Sequence, residues 1–137
     1  MLEFSPKIIH LPKIVDYRGN LSFIEGQNHI PFEIRRVYWI YDVPGGEQRG
    51  GHAFKEQCEF IVAMSGSFDV VANNGLEKAV YQMNRSYYGL FIPNKIWRHM
   101  ENFSTNSLAL VIASTFFEPN DYLRDYSEFI KFLQDEK

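Results

Sequence analysis

Only one cysteine, Cys58, occurs in the 137 residues of this chain. No intramolecular disulfide and no cysteine-based zinc site can form. A chain so poor in cysteine is expected in a reducing cytoplasm. No stretch approaches the roughly 18 apolar residues of a membrane span, so no membrane partner is expected. The opening Met1-Leu2-Glu3-Phe4 lacks the basic flank and apolar run of a signal peptide. Positive charge is also scarce: 14 Lys and Arg against 17 Asp and Glu leave a net charge of −3. That balance argues against nucleic acid as a partner. Linkers, low-complexity segments and solenoid-length repeats are missing too.

Aromatic residues are plentiful instead, with 12 Phe, 8 Tyr and 2 Trp. They favour strands. With 45% hydrophobic residues, the chain can bury one core, and residues 1–137 are expected to form a single domain. Short strand-like runs alternate with turn signals. Residues 7–15 read as a strand that Pro12 confines to an edge or a bulge. Residues 16–20 are a turn and 21–25 a short strand. Residues 33–43 form the clearest long strand; alternation places Arg36, Tyr38 and Ile40 on one face and Arg35, Val37, Trp39 and Tyr41 on the other. Further strands are expected over 58–64, 68–72, 76–81, 87–92, 97–103 and 108–113, with a hairpin at Asn73-Asn74-Gly75. The pattern predicts an all-β sandwich or barrel. A helix is expected to start at Pro119-Asn120-Asp121, with Tyr122, Tyr126, Phe129, Ile130 and Leu133 at helical spacing. It is expected to pack outside the barrel.

The segment Arg49-Gly50-Gly51-His52-Ala53-Phe54, followed by Glu59 and Gly66, resembles the first signature of cupins, which are jelly rolls. That signature has His-x-His, a Glu five residues on and a Gly seven residues further. Here Phe54 replaces the second His. In the second cupin motif, a ligand His is expected where Arg98 stands, and His99 is one residue off, on the opposite face. A guanidinium keeps its proton and repels a cation. His52 and Glu59 beside Arg98 are a poor donor set for a divalent metal, so neither a metal nor another cofactor is expected.

Five of the seven arginines, Arg18, Arg35, Arg36, Arg49 and Arg98, fall in segments that meet at the mouth of a jelly roll. Guanidinium groups suit bidentate contact with phosphate. One of Arg35 and Arg36 must face outward; Arg49 and Arg98 are tied to the two motifs and are the better ligand contacts. His52 is the best candidate acid or base, with Tyr38 and Glu59 expected nearby. A carboxylate close to His52 would raise its proton affinity. Phe54, Phe60, Phe68 and Trp97 read as core, and Cys58 as a small buried hydrophobe.

Several segments occur in the same order as in the TDP-4-keto-6-deoxyglucose 3,4-ketoisomerases, the WxcM-like sugar-modifying cupins. These are Asp16 to Leu21, Ile30-Pro31-Phe32, Arg36-Val37-Tyr38, Arg49 to His52, Leu90 through Trp97-Arg98, Ala113-Ser114 and Asp121-Tyr122-Leu123-Arg124-Asp125-Tyr126. The chain resembles that family over nearly its whole length. The resemblance implies a cupin jelly-roll barrel with a C-terminal helix, dimerised with exchanged N-terminal strands. It implies a TDP-linked sugar as ligand, no required metal, and transfer of a keto group from C4 to C3 through an enediol in deoxysugar biosynthesis. It assigns His52 as catalytic base and Tyr38 as an active-site tyrosine. It places Arg49 on the phosphates or sugar, and puts Arg98 and Arg18 at positions that differ between members of opposite C4 configuration. Arg36 and Glu59 complete the expected substrate contacts. The departure is Phe54, because the family's second His is thought to shuttle protons. Three alternatives stay open: a nucleotide-sugar binding cupin that has lost catalysis, an epimerase of the same substrate class, and a metal-dependent cupin using His52, Glu59 and His99.

Overall fold

The computed structural model describes residues 5–136; the Met1-to-Phe4 opening discussed above lies outside them. Twelve strands precede one helix: β1 Lys7–His10, β2 Lys13–Ile14, β3 Leu21–Ser22, β4 Arg36–Tyr41, β5 Arg49–Phe54, β6 Glu59–Ser65, β7 Phe68–Asn73, β8 Lys78–Met83, β9 Tyr88–Ile92, β10 Trp97–Glu101, β11 Leu108–Ala113, β12 Tyr122–Leu123 and α1 Tyr126–Asp135. Two five-stranded sheets form, in the orders β1-β9-β6-β11-β4 and β12-β5-β10-β7-β8, and β2 and β3 pair by themselves. Every named pairing is antiparallel. This is the cupin jelly roll that the sequence predicts.

The inward faces of the two sheets meet in a core that includes Ile61, Phe68, Val70, Leu90, Met100 and Val111. A second cluster lies on the other face of the first sheet, where Leu11, Ile30 and Phe32 cover Phe60, Val62, Phe91 and Ile112. Strand β6 is therefore buried on both faces from Glu59 through Ala63. Its unbroken apolar run reflects that double coverage. In β4, alternate residues face outward, leaving Val37, Trp39 and Tyr41 exposed. Arg36, Tyr38 and Ile40 take the inward face, as alternation requires.

Strand boundaries shift where local chemistry intervenes. The run over 7–15 breaks at Leu11-Pro12, because Pro cannot continue the ladder; β1 ends at the edge of one sheet, and β2 joins β3. The hairpin at Asn73-Asn74-Gly75 forms, but β8 starts at Lys78 instead of Leu76. The Asn74 side chain accepts from the backbone N–H groups of Leu76 and Glu77, at 2.9 Å each, and holds them in the turn.

The largest correction concerns the tail. Pro119 opens only one 3₁₀ turn, Pro119–Asp121. The Asp121 carboxylate does not cap a helix there; it accepts from the backbone N–H groups of Glu56 (2.8 Å) and Gln57 (3.1 Å). Tyr122 and Leu123 then run extended and pair with Phe54 and Ala53. The helix begins at Tyr126, capped by Asp125, whose side chain accepts from Ser127 N–H at 2.8 Å. Its apolar face docks outside the barrel, with Phe129 buried against Ala53 and Leu123 and flanked by Trp97.

Candidate active site

Strands β4, β5 and β10 and the segment around β12 enclose a cavity of about 360 Å³, within the range of small-molecule sites. Arg36, Arg49, Arg98 and Arg124 contribute to its wall, with Tyr38, His52, Phe117 and Tyr122. Four guanidinium groups around so small a space attract anions.

Beneath the wall lies a buried polar network. Arg98 pairs in register with His52 across β10 and β5, and its side chain is only 2% exposed. Its Nε and Nη2 donate to Glu59 Oε1 at 3.0 and 2.7 Å. Nη2 also donates to the Tyr38 hydroxyl at 3.0 Å. Tyr38 donates in turn to Glu59 Oε2 at 2.7 Å. Gln57 Nε2 donates to that same oxygen at 3.0 Å. The Gln57 carbonyl accepts from Arg36 Nη2 (3.0 Å) and from the Thr115 hydroxyl (2.6 Å). Gln57 therefore bridges a wall arginine to the carboxylate that holds Arg98 and Tyr38.

Gly50 makes room for this arrangement. A Cβ at its φ of +96° would lie 2.8 Å from Arg98 Nη1, so a side chain there meets both strain and the guanidinium.

Electrostatics follow from burial and the arginines. Burial, then the Glu59 charge, pushes the Tyr38 hydroxyl well above the usual phenol range, against the pull of Arg98. Burial opposes the charge on Arg98, but Glu59 and Tyr38 more than offset it and hold the guanidinium protonated. His52 is lowered to about 3 by burial, then by Arg98 and Arg124. It is a neutral imidazole at ordinary pH. Its Nε2 is buried and has no hydrogen-bond partner among the described residues, as is the Nε of Arg36. The His52 ring packs edgewise on Phe54 and Tyr122, with centroids 4.9 and 5.1 Å away.

His52, Tyr38, Arg36, Arg49 and Arg98 thus meet in one cavity. Arg35 turns outward to Glu33 at 3.0 Å. Two expected substrate contacts are placed elsewhere. Glu59 is 1% exposed and lies under the wall, its oxygens taken by Arg98, Tyr38 and Gln57. It does not raise the proton affinity of His52, because those partners absorb its charge. Arg18 is exposed and bound to Asp16 at 2.9 Å, away from the cavity of its own chain. The three residues of the metal-dependent alternative do not converge: Glu59 is held by Arg98, and His99 Nε2 contacts Glu101 at 2.9 Å. Sequence reasoning gave no role to Phe117, Tyr122, Arg124 or Gln57. Tyr122 and Arg124 follow the turn misread as a helix start and Phe117 precedes it; only the strand pairing of Tyr122 reveals the direction of this segment. Gln57 stood two residues before Glu59 with no motif to mark it.

An antiparallel jelly roll with a histidine and four arginines around one cavity defines a cupin built for an anionic ligand. The family described as "FdtA: WxcM-like, C-terminal" matches residues 5–134. The TDP-4-oxo-6-deoxy-alpha-D-glucose-3,4-oxoisomerase of Aneurinibacillus thermoaerophilus is 36% identical over 127 residues, 93% of this chain and 91% of that one. Among solved structures, a 3,4-ketoisomerase from Helicobacter canadensis superposes with a TM-score of 0.92 at 42% identity, covering 95% of this chain and 98% of its own. QdtA, a sugar 3,4-ketoisomerase from Thermoanaerobacterium thermosaccharolyticum in complex with TDP, gives 0.94 at 32% identity, covering 99% and 98%. The chain belongs to the WxcM-like FdtA family.

Proposed function

We propose that this protein is a metal-independent 3,4-ketoisomerase of a TDP-linked 4-keto-6-deoxy sugar, acting in deoxysugar biosynthesis as a cytoplasmic, single-domain dimer. The observation that carries the reading is the cavity itself. A neutral imidazole with an unpartnered nitrogen sits among four arginines, one of which has an unpartnered buried N–H. A diphosphate supplies acceptors to Arg36, Arg49 and Arg124, and the imidazole supplies the base.

In this reading, Arg49, Arg36 and Arg124 hold the diphosphate, and Phe117 offers an aromatic face. Arg98, fixed by Glu59, faces the sugar. His52 removes the C3 proton. The electrons of that bond form the C3–C4 double bond of an enediol, and the C4 carbonyl oxygen takes the negative charge. Return of a proton to C4 and passage of the O3 proton to O4 give the 3-keto sugar. A bound diphosphate opposes the suppressing charges of Arg98 and Arg124, so the ligand strengthens its own base. Arg18 requires the dimer, since its hairpin does not reach the His52 cavity in its own chain. Exposed Ile14, Val15, Tyr17 and Leu21 on or beside that hairpin, and Val37, Trp39 and Tyr41 on β4, support the association.

Incubation with TDP-4-keto-6-deoxyglucose tests the assignment directly: NMR signals of the 3-keto product are expected with the wild type and not with His52→Asn. Phe54 favours one second reading, a sugar-nucleotide binding protein without turnover. Tight TDP binding in calorimetry with no product would select it.

A further inference from the structure

The isomerisation, on which this inference rests, moves two protons. One goes from C3 to C4 and the other from O3 to O4. A single imidazole that has just taken the C3 proton is occupied until it returns it. The oxygens need a second carrier, and Phe54 has no exchangeable proton.

The cavity wall narrows the choice. Its four arginines do not release protons. Among the described residues, besides His52, only Tyr38 and Tyr122 present a group that can exchange one. Tyr38 is committed: its O–H donates to Glu59 at 2.7 Å, and its oxygen accepts from Arg98 at 3.0 Å. The Tyr122 hydroxyl has no hydrogen bond among the described residues. Tyr122 is also the cross-strand partner of Phe54. Their ring centroids are 4.6 Å apart, and the Tyr122 ring lies 5.1 Å from His52. The Arg124 guanidinium sits over it at 4.0 Å and fixes its orientation. Phe54 itself is buried, at 4% exposure.

We propose that Tyr122 is a catalytic residue that carries the proton between the two sugar oxygens, beside the position where Phe54 leaves no carrier. After His52 takes the C3 proton, the Tyr122 phenol gives its proton to O4 and accepts the proton of O3. The O3 electrons form the new C3 carbonyl, and the C3–C4 π pair takes the proton from the His52 imidazolium at C4. C3 is oxidised and C4 reduced within the one molecule, and both side chains return to their starting state.

Steady-state kinetics and deuterium exchange on Tyr122→Phe test this. The substitution keeps the ring and its packing, and a melting curve matching the wild type checks the fold. The expected kcat falls about 100-fold or more, the usual scale for a lost acid–base group. KM is expected to stay within about threefold, since no binding group is lost. Exchange at C3 in deuterated water is expected to continue, because His52 is untouched. Adding Phe54→His to Tyr122→Phe is expected to restore at least about tenfold. A kcat for Tyr122→Phe within about twofold of wild type would overturn the inference, and so would loss of C3 exchange together with turnover. A wild type that neither converts the 4-keto sugar nor exchanges its C3 proton would sink the isomerase reading as well.

Discussion

Arg98 donates twice to one oxygen of Glu59, from Nε at 3.0 Å and Nη2 at 2.7 Å, with both side chains almost completely shut off from solvent. The pair lies between the cavity and the core, and it holds Tyr38 as well. Breaking one partner of such a pair leaves a buried charge uncompensated, at a cost of about 3–5 kcal/mol. Glu59→Gln should lower stability to urea by about that amount. Replacing Arg98 as well, with Met, should recover part of the loss. An unchanged urea midpoint in Glu59→Gln would contradict the pairing.

His52 provides a pH signature. Its imidazole takes up a proton near 6.5 in the unfolded chain but only near 3 in the folded one. Between those values the unfolded state binds more protons. The contribution of this group to stability is complete above pH 6.5 and is lost as pH falls toward 3, by at most about 1.4 kcal/mol per pH unit. His52→Asn should therefore lose stability less steeply than the wild type between pH 6.5 and 4. Parallel slopes would show that His52 is not held neutral by its surroundings.

Gln57 anchors Arg36 at 3.0 Å while donating to Glu59. Its carbonyl faces two donors, and this fixes the amide orientation. Gln57→Met removes the acceptor and frees Arg36 from the wall. Calorimetric affinity for TDP should weaken about tenfold, the order of one charge-assisted hydrogen bond. An unchanged affinity would mean that Arg36 does not contact the diphosphate.

Much of this was legible from sequence, for identifiable reasons. Period-two alternation placed Arg36 and Tyr38 inside and Arg35 outside, because β4 is covered on one face only. The tail was misread because the apolar positions after Pro119 fit a helical period. Asp121, which looked like a cap, is drawn instead to the N–H groups of Glu56 and Gln57, a contact across 65 and 64 residues of sequence. That long-range bond turns Tyr122 into a strand residue on the cavity wall. The proton affinity of His52 was misjudged for a similar reason. Glu59 is near in sequence, but Arg98 and Tyr38 take its charge first, and Arg124 acts on His52 from a segment placed only by β12.

The most direct test of the account is an NMR time course of TDP-4-keto-6-deoxyglucose in deuterated water, run with the wild type and with His52→Asn. The account predicts loss of the C3 proton and a growing 3-keto product for the wild type, with deuterium at C4 only as far as the His52 imidazolium exchanges with solvent, and neither loss nor product for the variant. Absence of both product and exchange with the wild type, or unchanged conversion with His52→Asn, would contradict it.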